Sequence, residues 1–245
     1  MSKKLSLVLV LFVLFSCTKE KVIFPTNNLQ EYLNQNSGLV ADEVIACAAS
    51  NEFDSAVSYI FYYPIPTATE ILYFETEDTT VDPNDFTQYT KRELPQEGVF
   101  NGYLGRFVRN DTKEVWSIVT YKTNGKLHKS NPIRLKHQSK ATEYTTTVAI
   151  EFTQNTSPKF TWQDGIYSDT AIYFQVITNN ENNLLSGTYT YDQWFQYYQL
   201  NNVVLNVTRE TPSDLEVAKT YNFVMMGVSL DNWVNLVIIK DFIVP

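Results

Sequence analysis

The chain has 245 residues, 44% of them hydrophobic and 14% aromatic, with 8 glycines and 9 prolines. That composition supplies enough apolar mass for packed cores and excludes a low-complexity or collagen-like chain. A formal net charge of −8 argues against nucleic acid as a partner.

Residues 1–16 have the layout of a secretory signal peptide. Lys3 and Lys4 form a basic start, and Leu5 to Phe15 form an apolar run that is shorter than the roughly 20 residues a membrane span needs. Leu14-Phe15-Ser16-Cys17 resembles the bacterial lipobox, although Phe15 departs from the usual small or β-branched residue. The resemblance implies cleavage before Cys17, lipidation of its thiol and anchoring in the membrane through several acyl chains. An ordinary secretory signal with a coincidental cysteine, or an uncleaved anchor, is the alternative. Because Thr18 rather than Asp follows the cysteine, the same resemblance implies an outer-membrane address, facing the periplasm or the cell surface. Once Cys17 carries lipid, Cys47 is the sole remaining thiol, so no internal disulfide is expected.

Residues 17–42 read as the lipidated cysteine plus a flexible tether, polar and Asn/Gln-rich between Thr26 and Gly38, in which "LQEYL" could make a helical turn. Beyond it, period-two patterns dominate and no long stretch has helical periodicity. The fold class expected is all-β. Charge is segregated along these strands: residues 43–105 carry a net −9, residues 106–141 a net +7 and residues 142–245 a net −7. Cross-strand pairing is the expected role of the basic stretch, with a phosphate-binding patch as the sharper alternative.

Sliding the chain by about 100 residues aligns "ILYF" at 71–74 with "AIYF" at 171–174, Tyr62 with Trp162, and Leu104 and Phe107 with Val204 and Val207. With a small slip, "WSIVTY" at 116–121 then matches "YNFVMM" at 221–226. These ordered matches suggest two copies of one domain, at 43–138 and 142–245. In the second copy "FTWQDG" at 160–165, Tyr173, and Leu215 with Tyr221 resemble the B strand, C strand and E–F corner of fibronectin type III and related immunoglobulin-like domains. In the first copy Tyr62 stands for the B-strand Trp and Trp116 for the corner Tyr, and Asn124-Gly125 is a hairpin turn pair between F and G strands. The resemblance implies two tandem fibronectin type III-like β-sandwiches. It implies architecture more than function.

Neither His128 nor His137 belongs to a zinc motif, and no nucleophile elbow, P-loop or C-x-x-C pair is present. No catalytic residue, metal or cofactor is expected; a carboxylate pair for glycoside hydrolysis is the remote alternative. The acidic stretch 75–85, with Glu77, Asp78, Asp82 and Asp85, lacks EF-hand spacing and reads as a solvated C–C′ connection. Cys47 reads as a small buried hydrophobe of strand A or, alternatively, a dimer-forming thiol.

The aromatic run at 189–200 is the candidate binding feature. In a strand Trp194, Gln196, Tyr198 and Leu200 would point one way, and Phe195, Tyr197 and Gln199 the other. Trp194, Tyr197 and Tyr198 are therefore the candidate surface for a protein or a glycan, with packing inside the chain as the competing role. Ser55, Thr79 and Thr170 each follow an Asp and precede Ala or Thr, and so resemble O-glycosylation acceptors of exported proteins in some gliding and gut bacteria. Together these features imply a non-catalytic envelope lipoprotein, a spacer and binding module for a protein partner, with carbohydrate binding as the alternative.

Overall fold

The structure is a computed structural model that describes residues 27–153 and 156–245. Cys17 and the signal-like segment lie outside the described residues. The first helix, α1 (Leu29–Gln35), is followed by β1 (Val40–Val44), β2 (Ala46–Ser50), β3 (Val57–Tyr62), β4 (Thr69–Glu75), β5 (Thr90–Arg92), β6 (Gln96–Val99), β7 (Leu104–Asn110), β8 (Trp116–Thr123), β9 (Lys126–Ser130) and β10 (Ile133–Arg134). Then come β11 (Glu143–Thr145), β12 (Ala149–Glu151), β13 (Lys159–Thr161), β14 (Thr170–Asn179), β15 (Leu184–Thr190), β16 (Trp194–Gln196), β17 (Val203–Asn206), β18 (Thr220–Ser229) and β19 (Val234–Ile243).

Four sheets form, and each draws its strands from one half of the chain. β1-β9-β8-β4-β5 and β2-β3-β7-β6 make the first sandwich; β11-β19-β18-β14-β15-β17 and β12-β13-β16 make the second. In each half an early strand pairs in parallel with a late one, β1 with β9 and β11 with β19, while the other strand pairs are antiparallel. This is the two-sheet immunoglobulin-like arrangement, so the chain is all-β with fibronectin-like sandwiches.

Strand alternation explains how the layers stack. In β3, Ile60 and Tyr62 point into the first sandwich's core, beside Tyr73, Phe107 and Val119. Phe61, between them, points outward into a second apolar layer with Phe174, Val176, Val224 and Met226 of the other sandwich. β18 does the same in reverse: Phe223 and Met225 face the second sandwich's core, and Val224 and Met226 face the first sandwich. The two sandwiches are therefore stacked face to face, with three apolar layers between four sheets.

A fourth apolar layer corrects the flexible-tether reading of residues 17–42 over its described part, from residue 27 onward. Asn28 caps α1, its Oδ1 accepting from the Gln30 and Glu31 amides at 2.9 and 3.3 Å. Leu29 and Tyr32, on one helical face, pack on Phe74, Tyr89, Ile118 and Leu127 of the first sheet. A seven-residue helix is marginal in water; burial of Leu29 at roughly 2 kcal/mol holds it down. β1 then joins the first sheet beside β9. From Asn28 onward the segment is part of the fold.

Charge pairing accounts for the segregated sequence. Arg106 bonds Glu97 across β7 and β6, Lys122 reaches Glu70, and Lys126 reaches Asp42. Arg109 and Arg92 share the buried Glu75, at 2.7 and 2.9 Å. Much of the basic stretch is thus spent neutralising the acidic one.

Candidate functional site

The fibronectin-like signature residues meet as expected. Trp162, at the end of β13, is 2% exposed and meets Tyr173 edge-on at 5.6 Å between ring centroids. At the corner before β18, the Glu216 amide donates to the Tyr221 hydroxyl at 2.9 Å, beside buried Leu215. In the first sandwich Tyr62 packs on Phe107 at 5.3 Å, so it does occupy the B-strand place. Trp116 does not act as a corner residue; it lies half-buried against the outer layer beneath α1, under the Arg134 guanidinium. Asn124 and Gly125, at φ of 49° and 73°, form the β8–β9 hairpin turn. The repeat register breaks at one point: Leu104 and Phe107 sit in β7 beside β3, whereas Val204 is in β17 beside β15 and Val207 follows it.

The aromatic run splits. β16 ends at Gln196, having paired with β13, and alternation sends Phe195 and Tyr197 inward. Tyr197 is only 1% exposed, and its hydroxyl donates to the Ser213 carbonyl at 2.8 Å; burial pushes that hydroxyl well above its ordinary pKa. Tyr197 is therefore a core residue, a correction to its assignment as surface. Trp194 lies on the outer face of the fourth sheet, half-buried, with the Lys159 ammonium 5.0 Å from its ring. Tyr198 is also half-buried and accepts a hydrogen bond from Asn206 Nδ2 at 2.8 Å. The Tyr198 ring packs against the second sandwich's core, whereas Leu200, beyond the strand, is 45% exposed.

Ser55 is exposed in a turn that the Asp54 carboxylate holds by accepting from the Ala56 amide at 2.9 Å. Thr79 is half-buried in the same kind of turn, closed by Asp78 on the Thr80 amide. Thr170 opens β14 and its hydroxyl accepts from Asn235, while Asp169 is bound by Lys140 and Asn235. Thr170 is thus the most committed of the three.

The acidic stretch 75–85 connects β4 to a short turn before β5. Asp78, Asp82 and Asp85 each accept from the amide two residues on; such turns explain the acidic composition without an ion. Among the described residues, no three His, Cys, Asp or Glu side chains group as metal ligands.

One feature escaped sequence reasoning. A cavity of about 290 Å³ opens between the stacked sandwiches. Cys47, Phe61 and Leu104 line one wall; Phe174, Tyr189 and Met226 line the other. Burial pushes the Cys47 thiol up to about 12 and raises the neighbouring Tyr189 hydroxyl far above its usual range. Polar groups stand at the rim: Glu43 accepts from Asn131 Nδ2 at 2.6 Å, and Asn232 Nδ2 donates to the Pro132 carbonyl at 3.0 Å.

The sequence matches no family model and no curated protein. Among experimentally determined structures, the chain is similar to the FN1–FN3 domains of chicken CNTN1, at 14% identity and a TM-score of 0.28, over 84% of this chain and 67% of that one. It is also similar to a segment of two fibronectin type III domains from chicken tenascin, at 10% identity and a TM-score of 0.24, over 82% and 98%. Neither likeness adds to what the strand order already gives.

Proposed function

We propose that this chain is a non-catalytic, lipid-anchored envelope protein, a rigid spacer that presents a binding surface to a protein partner. The lipobox-like Leu14-Phe15-Ser16-Cys17 supports the anchor and the outer-membrane address. The observation that carries the spacer reading is the stacking. The described chain enters beside Tyr89 and Thr90 in the first sheet, whereas Trp194 sits on the outer face of the fourth. An anchor at one end and an aromatic surface at the other is what a spacer needs.

Lys159 over Trp194 gives that surface a mixed cationic and aromatic character. It favours a protein carrying carboxylates and apolar side chains over a sugar ring, which needs a free indole face. Two experiments test the reading. Cys17→Ala should abolish fatty-acid incorporation and shift the protein from the membrane to the soluble fraction; unchanged partitioning sinks the anchor. Trp194→Ala should remove a specific co-purifying protein from solubilised envelopes while leaving the fold intact. Loss of glycan-array retention in that variant would point to carbohydrate instead.

A further inference from the structure

We infer that the cavity between the two sandwiches is a binding site for a small apolar molecule with a neutral or cationic head group. Its walls are side chains of two stacked sheets, Cys47, Phe61 and Leu104 against Phe174, Tyr189 and Met226. Of these six side chains only the Cys47 thiol and the Tyr189 hydroxyl are polar, so most of the wall offers a water no hydrogen-bond partner. The volume, about 290 Å³, is about twice the apolar void of about 150 Å³ that accommodates benzene. It suits a fused aromatic or a chain of about ten carbons.

The rim sets the head group. Glu43 is the charged side chain that lines the cavity, and it shares the mouth with the amides of Asn131 and Asn232. Among the described residues no Lys, Arg or His side chain lines the cavity; Arg209, whose Nε reaches the Tyr63 hydroxyl at 3.5 Å, lies behind the lining. A fatty acid would bring its anion against Glu43; an alcohol or an ammonium would hydrogen-bond to it. Rigidity on both sides favours affinity, because the walls belong to paired strands and little side-chain ordering remains to be done.

The test is a fluorescence titration of the full chain with 1-aminoanthracene, followed by displacement with decan-1-ol, decylamine and decanoate. Saturation at one probe per chain is expected, with decanoate at least about tenfold weaker than the amine or the alcohol. Cys47→Phe, which fills the cavity, should weaken probe binding by tenfold or more. Leu205→Trp, at a 42% exposed lining residue of β17, fills it from the second sandwich's side and decides the matter if the first variant fails to fold. Glu43→Gln should narrow the gap between decylamine and decanoate. Absence of saturable binding, or wild-type binding in a folded cavity-filling variant, overturns the site. Equal displacement by decanoate, or a gap unchanged by Glu43→Gln, overturns the head-group assignment.

Discussion

Replacing Trp233 with Ala probes the joint between the sandwiches. Trp233 belongs in sequence to the second sandwich, on the turn between β18 and β19, yet it is fully buried in the core of the first, with Ala48, Tyr73 and Phe107. Its indole N–H donates to the Lys140 carbonyl at 2.8 Å. The turn around it also grips the first sandwich through backbone: Ala48 donates to the Asn232 carbonyl at 2.9 Å, and Arg134 donates to the Asp231 carbonyl at 2.9 Å. Truncating a buried Trp costs about 3–5 kcal/mol, and the orphaned carbonyl adds roughly 1 kcal/mol. Against a total stability of about 5–15 kcal/mol, that is a large fraction. For a chain of this size it lowers the melting temperature by roughly 8–24 °C.

The assay is urea unfolding combined with peptide-level hydrogen exchange. Trp233→Ala should lower protection in β3 and β8 of the first sandwich as much as in β18 and β19. A single unfolding transition should persist, because the shared layer of Phe61, Leu104, Phe174 and Met226 couples the halves. Unchanged protection in β3 and β8, with loss confined to β18 and β19, would refute the coupling. So would two transitions with one at the wild-type midpoint.

Trp162→Ala should cost about 3–5 kcal/mol through the second sandwich's core, measured by urea unfolding. Tyr197→Ala should be comparably destabilising, since the ring is buried and its hydroxyl bonded, whereas Trp194→Ala on the outer face should cost less than about 1 kcal/mol; equal losses would contradict the split orientation. Arg109→Met leaves the Glu75 carboxylate with Arg92 and the Tyr73 hydroxyl and should cost about 3–5 kcal/mol, with Glu75→Leu/Arg109→Met recovering part of it. His137 is buried, and desolvation holds its pKa below the ordinary 6.5, aided by the nearby Arg109 charge. The unfolded chain therefore binds a proton first as pH falls through about 6.5, so stability should drop there and level off below the folded pKa; His137→Gln should flatten that slope in thermal melts taken from pH 7.5 to 5.

Much of the fold was legible because its signals are local. Asn124-Gly125 fixes a hairpin by backbone conformation alone, and Trp162, Tyr173, Leu215 and Tyr221 carry a spacing that one core enforces. The stacking left a weaker trace. "FVMMGV" in β18 and "VNLVII" in β19 are nearly continuous apolar runs, the mark of strands covered on both faces. A period-two reading expects one face in water, and so misses what covers the other. The cavity had no trace at all, since its walls come from residues as far apart as Cys47 and Met226, brought together only by the stacking of the two sandwiches. Alternation sets Tyr197 on the face of Phe195, opposite Trp194; which of the two faces packs on the core depends on β13 and on the segment at Ser213, and period alone does not reveal it. The helix α1 was visible only as a possible turn, because its stability lies in Phe74 and Ile118, not in its own seven residues.

Docking of residues 28–44 changes what the proposed lipid anchor at Cys17 would do. With those residues built into the first sheet, the connection from Cys17 to Asn28 spans at most about 40 Å when fully extended. The body itself supplies more of the reach. Four stacked sheets at roughly 10 Å each give about 30 Å from the first to the fourth, and unlike a linker this distance carries no conformational entropy. Trp194 is then carried at a fixed height above the point where the chain enters the fold. A partner meeting that surface encounters side chains whose orientation is set by β13–β16 pairing, so ordering costs at the moment of binding are small. The same rigidity fixes the cavity walls between the sandwiches. Loosening the joint through Trp233 should therefore weaken cavity binding while sparing the outer surface of the fourth sheet, which separates the two sites by experiment.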